Sequence, residues 1–427
     1  MRTDKIVIGR MDSLCLVIGW VVVGAVGCAT ATAETRQLVV QAGDCDRALV
    51  PMCIDAPAGI TDPKLTDAGT GKAVACQIID GKLWWILDKL PAGQSKTYRV
   101  ASGGKAKPVV EVRDGENKYD VTIAGKPFTT CWYDPKEIRP YCYPLFGPNQ
   151  ARMTRGYPMV GDIPGERHDH HHHRSFYVAH GEFRDDKDKD KKYNFWHEPR
   201  DKEGKPAVDR WDRQILREVV RAEGGPVAGV VEILVDWTAA SGKKILEENR
   251  RLTIYAIDGP ARIADLRVAL RAKYEDVHFL DTKEGGICSL RLAPEIREKK
   301  GTHGSGGGLI TNSNGQATAR RAWGKKAKWV DYSRIKGQQY GITVFDTPGN
   351  LRYPTRWHVR DYGLFTANPF GILCFDKASG ERGDYDLPKG KELVLRYRLY
   401  LHAGDVKAAK VAARYEDYVN PPKAMWK

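Results

Sequence analysis

Beyond residue 26 the sequence has no long apolar run, and short motifs for several common enzyme chemistries are missing throughout. There is no Gly-x-Ser-x-Gly turn, no His-Glu-x-x-His, no P-loop, and no dinucleotide-binding glycine fingerprint between a strand and a helix. Serine hydrolase, zincin, NTPase and Rossmann readings therefore have no support. No cysteine sits in a Cys-x-x-Cys pair, which removes the zinc ribbon and the thioredoxin motif. Basic blocks are absent too. The net charge is +14, yet Lys and Arg are dispersed, so the surplus reads as a generally basic surface and nucleic acid is not expected as a partner. Helical periodicity is scarce, with 406–418 the best candidate.

What the N-terminus does have is a three-part export pattern. Arg2, Lys5 and Arg10 precede an uncharged apolar run over 14–26, and Ala31-Thr32-Ala33 stands before Glu34. This predicts a signal peptide over 1–33 cleaved after Ala33, and a periplasmic or secreted protein. The strictly apolar run is shorter than the roughly 20 residues that span a bilayer, so no transmembrane segment is expected in the mature chain. Lipid attachment at Cys28 is a further option. Seven cysteines follow the leader, an odd number; Cys45 with Cys53 or Cys76, and Cys131 with Cys142, are open as pairs.

Strand signals dominate the rest. Short β-rich runs at 38–40, 97–100, 108–112 and 119–123 are bounded by Gly, Asp or Lys, and longer ones cover 227–237, 250–257, 262–270 and 393–401. In the last, the odd-numbered residues are apolar or aromatic, the period-2 pattern of a half-buried strand. The expectation is an all-β fold: a small β-sandwich over 34–104, a linker-like 101–108, and a large β-sandwich over 105–427.

Two polar segments stand out against this background. In Asp169-His170-His171-His172-His173-Arg174, an extended strand would put His170 and His172 on one face and His171 and His173 on the other. Imidazole binds metals and exchanges protons near neutrality, and Asp169 is placed to orient one ring; a solvated loop is the plain alternative. Around the cluster lie Arg155, Trp196, His197 and Glu198. The second segment is Arg356-Trp357-His358-Val359-Arg360, followed by Asn368; as a strand it would aim Arg356, His358 and Arg360 to one side. The candidate catalytic residues are thus His170, His172, His173 and His358. The candidate substrate-binding residues are Arg174, Arg155, Trp196, His197, Glu198, Arg356, Arg360 and Asn368. Glu232, Asp236, Glu247 and Glu248 are further carboxylates without a distinguishing context.

Tyr143-Pro144-Leu145, Thr154-Arg155, Asp169-His170-x-His172-His173-Arg174, Phe195-Trp196, Trp329-Val330-Asp331-Tyr332, Tyr353-Pro354-x-x-Trp357-His358-x-Arg360 and Asn368-Pro369-Phe370-Gly371 occur in that order. Together they resemble the exported bacterial proteins labelled the PmoA family, over about residues 115 to 405. His171 stands where that family commonly has Pro, and Ser175 where it commonly has Gly. The resemblance implies a sandwich similar to the galactose-mutarotase type. Three classes of function follow as expectations. The first is a carbohydrate-active protein that takes a saccharide or other small polar substrate in a His/Arg/aromatic cleft. The second is a copper-, iron- or zinc-dependent oxygenase or hydrolase using the histidines. The third is a non-catalytic envelope binding protein. The sequence names no cofactor and no metal ligand set.

Overall fold

A computed structural model describes residues 35–200, 202, 204, 210–301 and 305–427, so the expected leader lies outside the described residues. The strand patterns condense into an all-β protein whose two largest sheets each hold eight antiparallel strands. In spatial order the first runs Arg356–Val359, Leu364–Asn368, Gly285–Arg291, Phe176–His180, Tyr141–Leu145, Lys126–Trp132, Lys118–Ile123 and Val110–Gly115. The second runs Arg213–Glu223, Ala228–Thr238, Lys244–Tyr255, Ala261–Arg271, Glu392–Ala403, Tyr340–Phe345, Trp329–Arg334 and Leu309–Asn312. Phe128, Phe176, Val178, Trp357 and Phe365 from one sheet share a core with Val235, Trp237, Leu252, Leu266 and Leu399 from the other. Burying each such side chain contributes about 1.5–3 kcal/mol, which makes this layer the main source of stability.

The strand Glu392–Ala403 shows where the simple alternation ends. Leu393, Leu395 and Tyr397 point into the core while Glu392 and Arg396 stay exposed. From Arg398 onward both faces are buried. The outer face is covered there by the helix Val411–Val419: Tyr400 packs with Val411 and Tyr415, and its hydroxyl donates to the Ala409 carbonyl at 3.0 Å. Arg398 is tolerated because Asp265, opposite it on the next strand, accepts from its guanidinium at 2.6 and 2.8 Å.

Two smaller sheets precede these. One has the order Lys423–Trp426, Arg36–Gln41, Ser95–Ser102, Pro63–Asp67 and Ala73–Val74; the other is Arg47–Asp55, Lys82–Leu90 and Cys76–Ile79. Leu38, Val40, Met52, Trp85, Leu87 and Val100 fill the space between them. The sequence boundaries put the chain's end with the large sandwich. Its last strand instead pairs with the first, Leu38 opposite Trp426, because the Trp426 ring has apolar surface to cover and a carbonyl, Asp55, to receive its N–H at 3.1 Å. The seven cysteines among the described residues are free thiols. Of the pairings left open by the sequence, Cys131 and Cys142 face each other across neighbouring strands, sulfurs 3.2 Å apart. Among the described residues no helix is long and apolar enough to cross a membrane.

Candidate functional site

The histidine cluster is a turn, not a strand. His170 adopts a left-handed φ of 45°, and the His173 amide donates to the His170 carbonyl at 3.0 Å. The turn breaks the expected two-face alternation. His170, His172 and His173 come to one side, while His171 swings away so that its Nε2 meets the Glu198 carbonyl. Its shape is imposed by buried arginines. Arg155 donates to the carbonyls of Arg167 (3.1 Å), Asp169 (2.8 Å) and His170 (2.9 Å), and to the Asp169 carboxylate (2.8 Å). Arg291 reaches the same carboxylate at 2.7 Å and lies 3.3 Å from His173 Nδ1. Burial alone would raise the Asp169 carboxyl, but the hydrogen bond with His170 and the charges of Arg291 and Arg155 hold it well below the usual range. From the other side Arg139 donates to the carbonyls of His172 (2.9 Å), Trp196 (2.8 Å) and His197 (3.2 Å).

The second segment forms the edge strand Arg356–Val359. Trp357 and Val359 enter the core, so His358 faces outward, and Arg360 follows it on the same side. The two segments meet around a cavity of about 280 Å³. One wall is His170, His172, His173 and Trp196; the other is His358, Arg360, Tyr362 and Leu364; His197, Lys283 and Glu284 close the rim. The rings are mutually braced. His170 stacks between His173 (4.9 Å) and Tyr362 (5.1 Å), and the Arg291 guanidinium lies 4.5 Å from the Tyr362 ring centre.

Three of the imidazoles in the walls, His172, His173 and His358, are held uncharged by their surroundings. Burial, reinforced by Arg139 and His197, pushes His172 down to about 2, and burial beside Arg360 pushes His358 down to about 3. His173, fully enclosed next to His172 and Arg291, is likewise held well below the ordinary imidazole value. A proton exchanger poised at neutral pH, as the sequence suggests for these three, is therefore not what their surroundings provide. His197 is half-exposed, with Nε2 3.2 Å from the Glu284 carboxylate.

Several expected ligand contacts lie elsewhere. Arg174 and Glu198 form a buried two-pronged ion pair behind the cavity, at 3.0 and 2.7 Å. Arg155 is a brace for the turn, since all its partners lie within the loop. Arg356 shares the face of His358 but is drawn off to the Gly324 carbonyl (2.9 Å) and Asp376 (3.4 Å). Asn368 is fully buried: its amide donates to the carbonyls of Thr282 (2.8 Å) and Lys283 (3.2 Å), and its oxygen accepts from the Phe370 and Gly371 amides. It holds the rim loop from beneath. Asn368→Ala should cost about 1–3 kcal/mol through the stranded partners, and hydrogen exchange at 282–284 should quicken; unchanged exchange there would remove it from the site. Glu232, Asp236, Glu247 and Glu248 belong to the opposite sheet and pair with Arg251, Arg217, Lys273 and Arg250.

Arg139, Arg291, Lys283 and Glu284 are the site residues the sequence did not single out. Arg291 ends a strand, Gly285–Arg291, that is buried throughout, and a lone charge closing such a run is the signal that was there to use. Lys283 and Glu284 carry no local mark.

No curated protein matches the chain. Among solved structures, a protein in the glycosyl hydrolase family 38 from Enterococcus faecalis aligns over 92% of this chain and 47% of its own, at 10% identity and a TM-score of 0.40. An alpha-mannosidase from Enterococcus faecalis V583 aligns over 92% and 46%, at 10% identity and a TM-score of 0.41. An alpha-galactosidase from Lactobacillus brevis aligns over 74% and 42%, at 9% identity and a TM-score of 0.34. The chain spans less than half the length of these proteins, and likenesses so distant carry no argument about its activity. The motifs from Tyr143 to Gly371 on which the sequence resemblance rests all fall within residues 118–416, a span that matches a family carrying neither the PmoA label nor an activity. By that match the chain belongs to the family described as Family of unknown function (DUF6807).

Proposed function

We propose that the cavity between the histidine turn and the Arg356–Val359 edge strand takes a saccharide. The observation that carries this reading is the set of uncharged, immobilised imidazoles. A neutral imidazole offers one donor and one acceptor nitrogen, the same pair of roles a sugar hydroxyl has, whereas a cationic wall could only donate. His172 and His173 line the cavity as such rings beside Trp196 and Tyr362, while neutral His358 spends its Nε2 on Arg360. The volume, about 280 Å³, lies at the low end of small-molecule sites, about 300 Å³ and upward, which fits one or two sugar units. Where a reaction follows binding, the group placed to move a proton is the His197–Glu284 pair, the one carboxylate lining the cavity among the described residues with its imidazole partner.

Metal binding is the second reading, and neutral imidazoles are what favours it. Among the described residues, however, no three His, Cys, Asp or Glu side chains converge on one point. Arg360 and Lys283 on the same cavity add positive charge that opposes a divalent cation.

The test is calorimetry of the purified chain against a panel of mono- and oligosaccharides, with metal analysis of the same sample. Binding is expected in the wild type, and His172→Asn should weaken it by about tenfold, the loss of one or two hydrogen bonds. Near-ultraviolet circular dichroism establishes that the variant is folded. A stoichiometric metal whose removal abolishes binding would turn the conclusion to the second reading, and no binding to any sugar would end the first.

A further inference from the structure

Arg360 differs from the other arginines around the site, whose guanidiniums are spent on carboxylates or, for Arg139, on the carbonyls of His172, Trp196 and His197. Arg155 and Arg291 share Asp169, and Arg174 is locked to Glu198 and Glu137. Arg360 has no carboxylate partner among the described residues, yet it is held in place. Its guanidinium lies 5.2 Å from the Trp323 ring centre, and its Nε donates to His358 Nε2 at 3.1 Å. Its backbone amide is fixed by the Leu364 carbonyl at 2.9 Å. Those contacts use one edge and one face of the guanidinium. The two terminal nitrogens make no hydrogen bond within the described residues, and the residue lines the cavity. The cavity's one carboxylate, Glu284, is engaged by His197 at 3.2 Å and Lys283 at 3.9 Å, so it does not neutralise Arg360.

A rigid, unpaired guanidinium fork matches the two coplanar oxygens of a carboxylate better than any single hydroxyl. Building on the saccharide reading, we infer that the sugar bound here carries a carboxylate, as a hexuronic acid does, seated on the terminal nitrogens of Arg360. The uncharged histidines across the cavity are left to the hydroxyls. His358 acts as the positioning residue: by accepting from Nε it fixes the rotation of the fork, and it can do so only while uncharged.

The experiment compares matched ligands by calorimetry on the full mature chain: a hexuronate, the hexose with a hydroxymethyl group in its place, the uronate methyl ester, and a sulfated hexose. The uronate should bind at least about tenfold more tightly than the hexose or the ester, the size of a charge-assisted two-pronged contact. Arg360→Gln should erase that preference, bringing the uronate and hexose affinities of the variant within about twofold of each other. Arg360→Lys, which keeps the charge without the fork, should fall between and serves as the folding control. Equal affinity for hexose and uronate, or a preference that survives Arg360→Gln, would overturn the carboxylate inference and leave the saccharide reading intact. Tighter binding of the sulfated hexose would replace carboxylate by sulfate ester. Binding of none of the four would sink both.

Discussion

Replacing Arg174 with methionine should destabilise the protein by about 3–5 kcal/mol, the usual cost of removing one partner from a buried ion pair. Glu198 is almost completely enclosed and receives both prongs of the Arg174 guanidinium at 3.0 and 2.7 Å. Glu137 meets the same guanidinium at 2.7 Å, and Tyr141 packs against its face at 5.3 Å. Without Arg174 the buried Glu198 carboxylate keeps, among the described residues, one longer ion pair to Arg200 at 3.4 Å, so most of its charge compensation is lost. The double variant Arg174→Met/Glu198→Leu removes that charge and should recover much of the loss, because a buried pair contributes little beyond an apolar replacement of similar volume. Denaturant unfolding of the three proteins measures this. A single-variant loss below about 1 kcal/mol would mean the pair behaves like a surface one. Either result bears on function, since Arg174 carries the cluster into the strand Phe176–His180 without facing the cavity.

Arg174 also illustrates what sequence could and could not convey. Period-2 alternation is a local property, so the long strands were legible, and so was the outward face shared by His358 and Arg360. Which residues on that face reach a cavity depends on partners far along the chain. Arg356 has the right phase and is captured by the Gly324 carbonyl and Asp376. At 170–173 the sequence left strand and solvated loop both open, and the ordered turn was not legible for a similar reason. Four consecutive histidines have no turn signature, and the left-handed φ of His170 exists because Arg155 and Arg291, from outside the cluster, clamp the Asp169 carboxylate. The convergence of the two polar segments was readable as a concentration of costly side chains among aromatics. The charge state of the histidines was not, because it follows from burial.

That burial has a consequence for the whole fold. Lowering the pH from 7.0 to 5.5 should remove about 3 kcal/mol of folding stability. His173, His180 and His358 are enclosed, and burial is the first cause that holds each far below the ordinary imidazole value, to about 3 for His180 and His358. His180 shows why. Its rings of contact are Phe183, Phe279 and Phe370, its Nε2 serves the Glu182 carbonyl at 2.9 Å, and its Nδ1 has no hydrogen-bond partner among the described residues to receive a proton's charge. In the unfolded chain each histidine takes up a proton near pH 6.5, while the native form stays neutral. The unfolded state then binds more protons from about pH 6.5 down to the folded values, so stability is full above that window and falls as pH drops through it. Each of the three loses about 1 kcal/mol by pH 5.5, and half-buried His172 adds to the same side. Asp346 works in the opposite sense. Burial raises its carboxyl to about 6, so the native protein gains a proton there that the unfolded chain does not, returning about 1 kcal/mol. Denaturant titrations at the two pH values give the net loss directly, and His180→Gln should reduce it by about 1 kcal/mol. A stability that stays level, or rises, between pH 7.0 and 5.5 would mean these imidazoles are hydrated, and the uncharged walls on which the saccharide site depends would go with them.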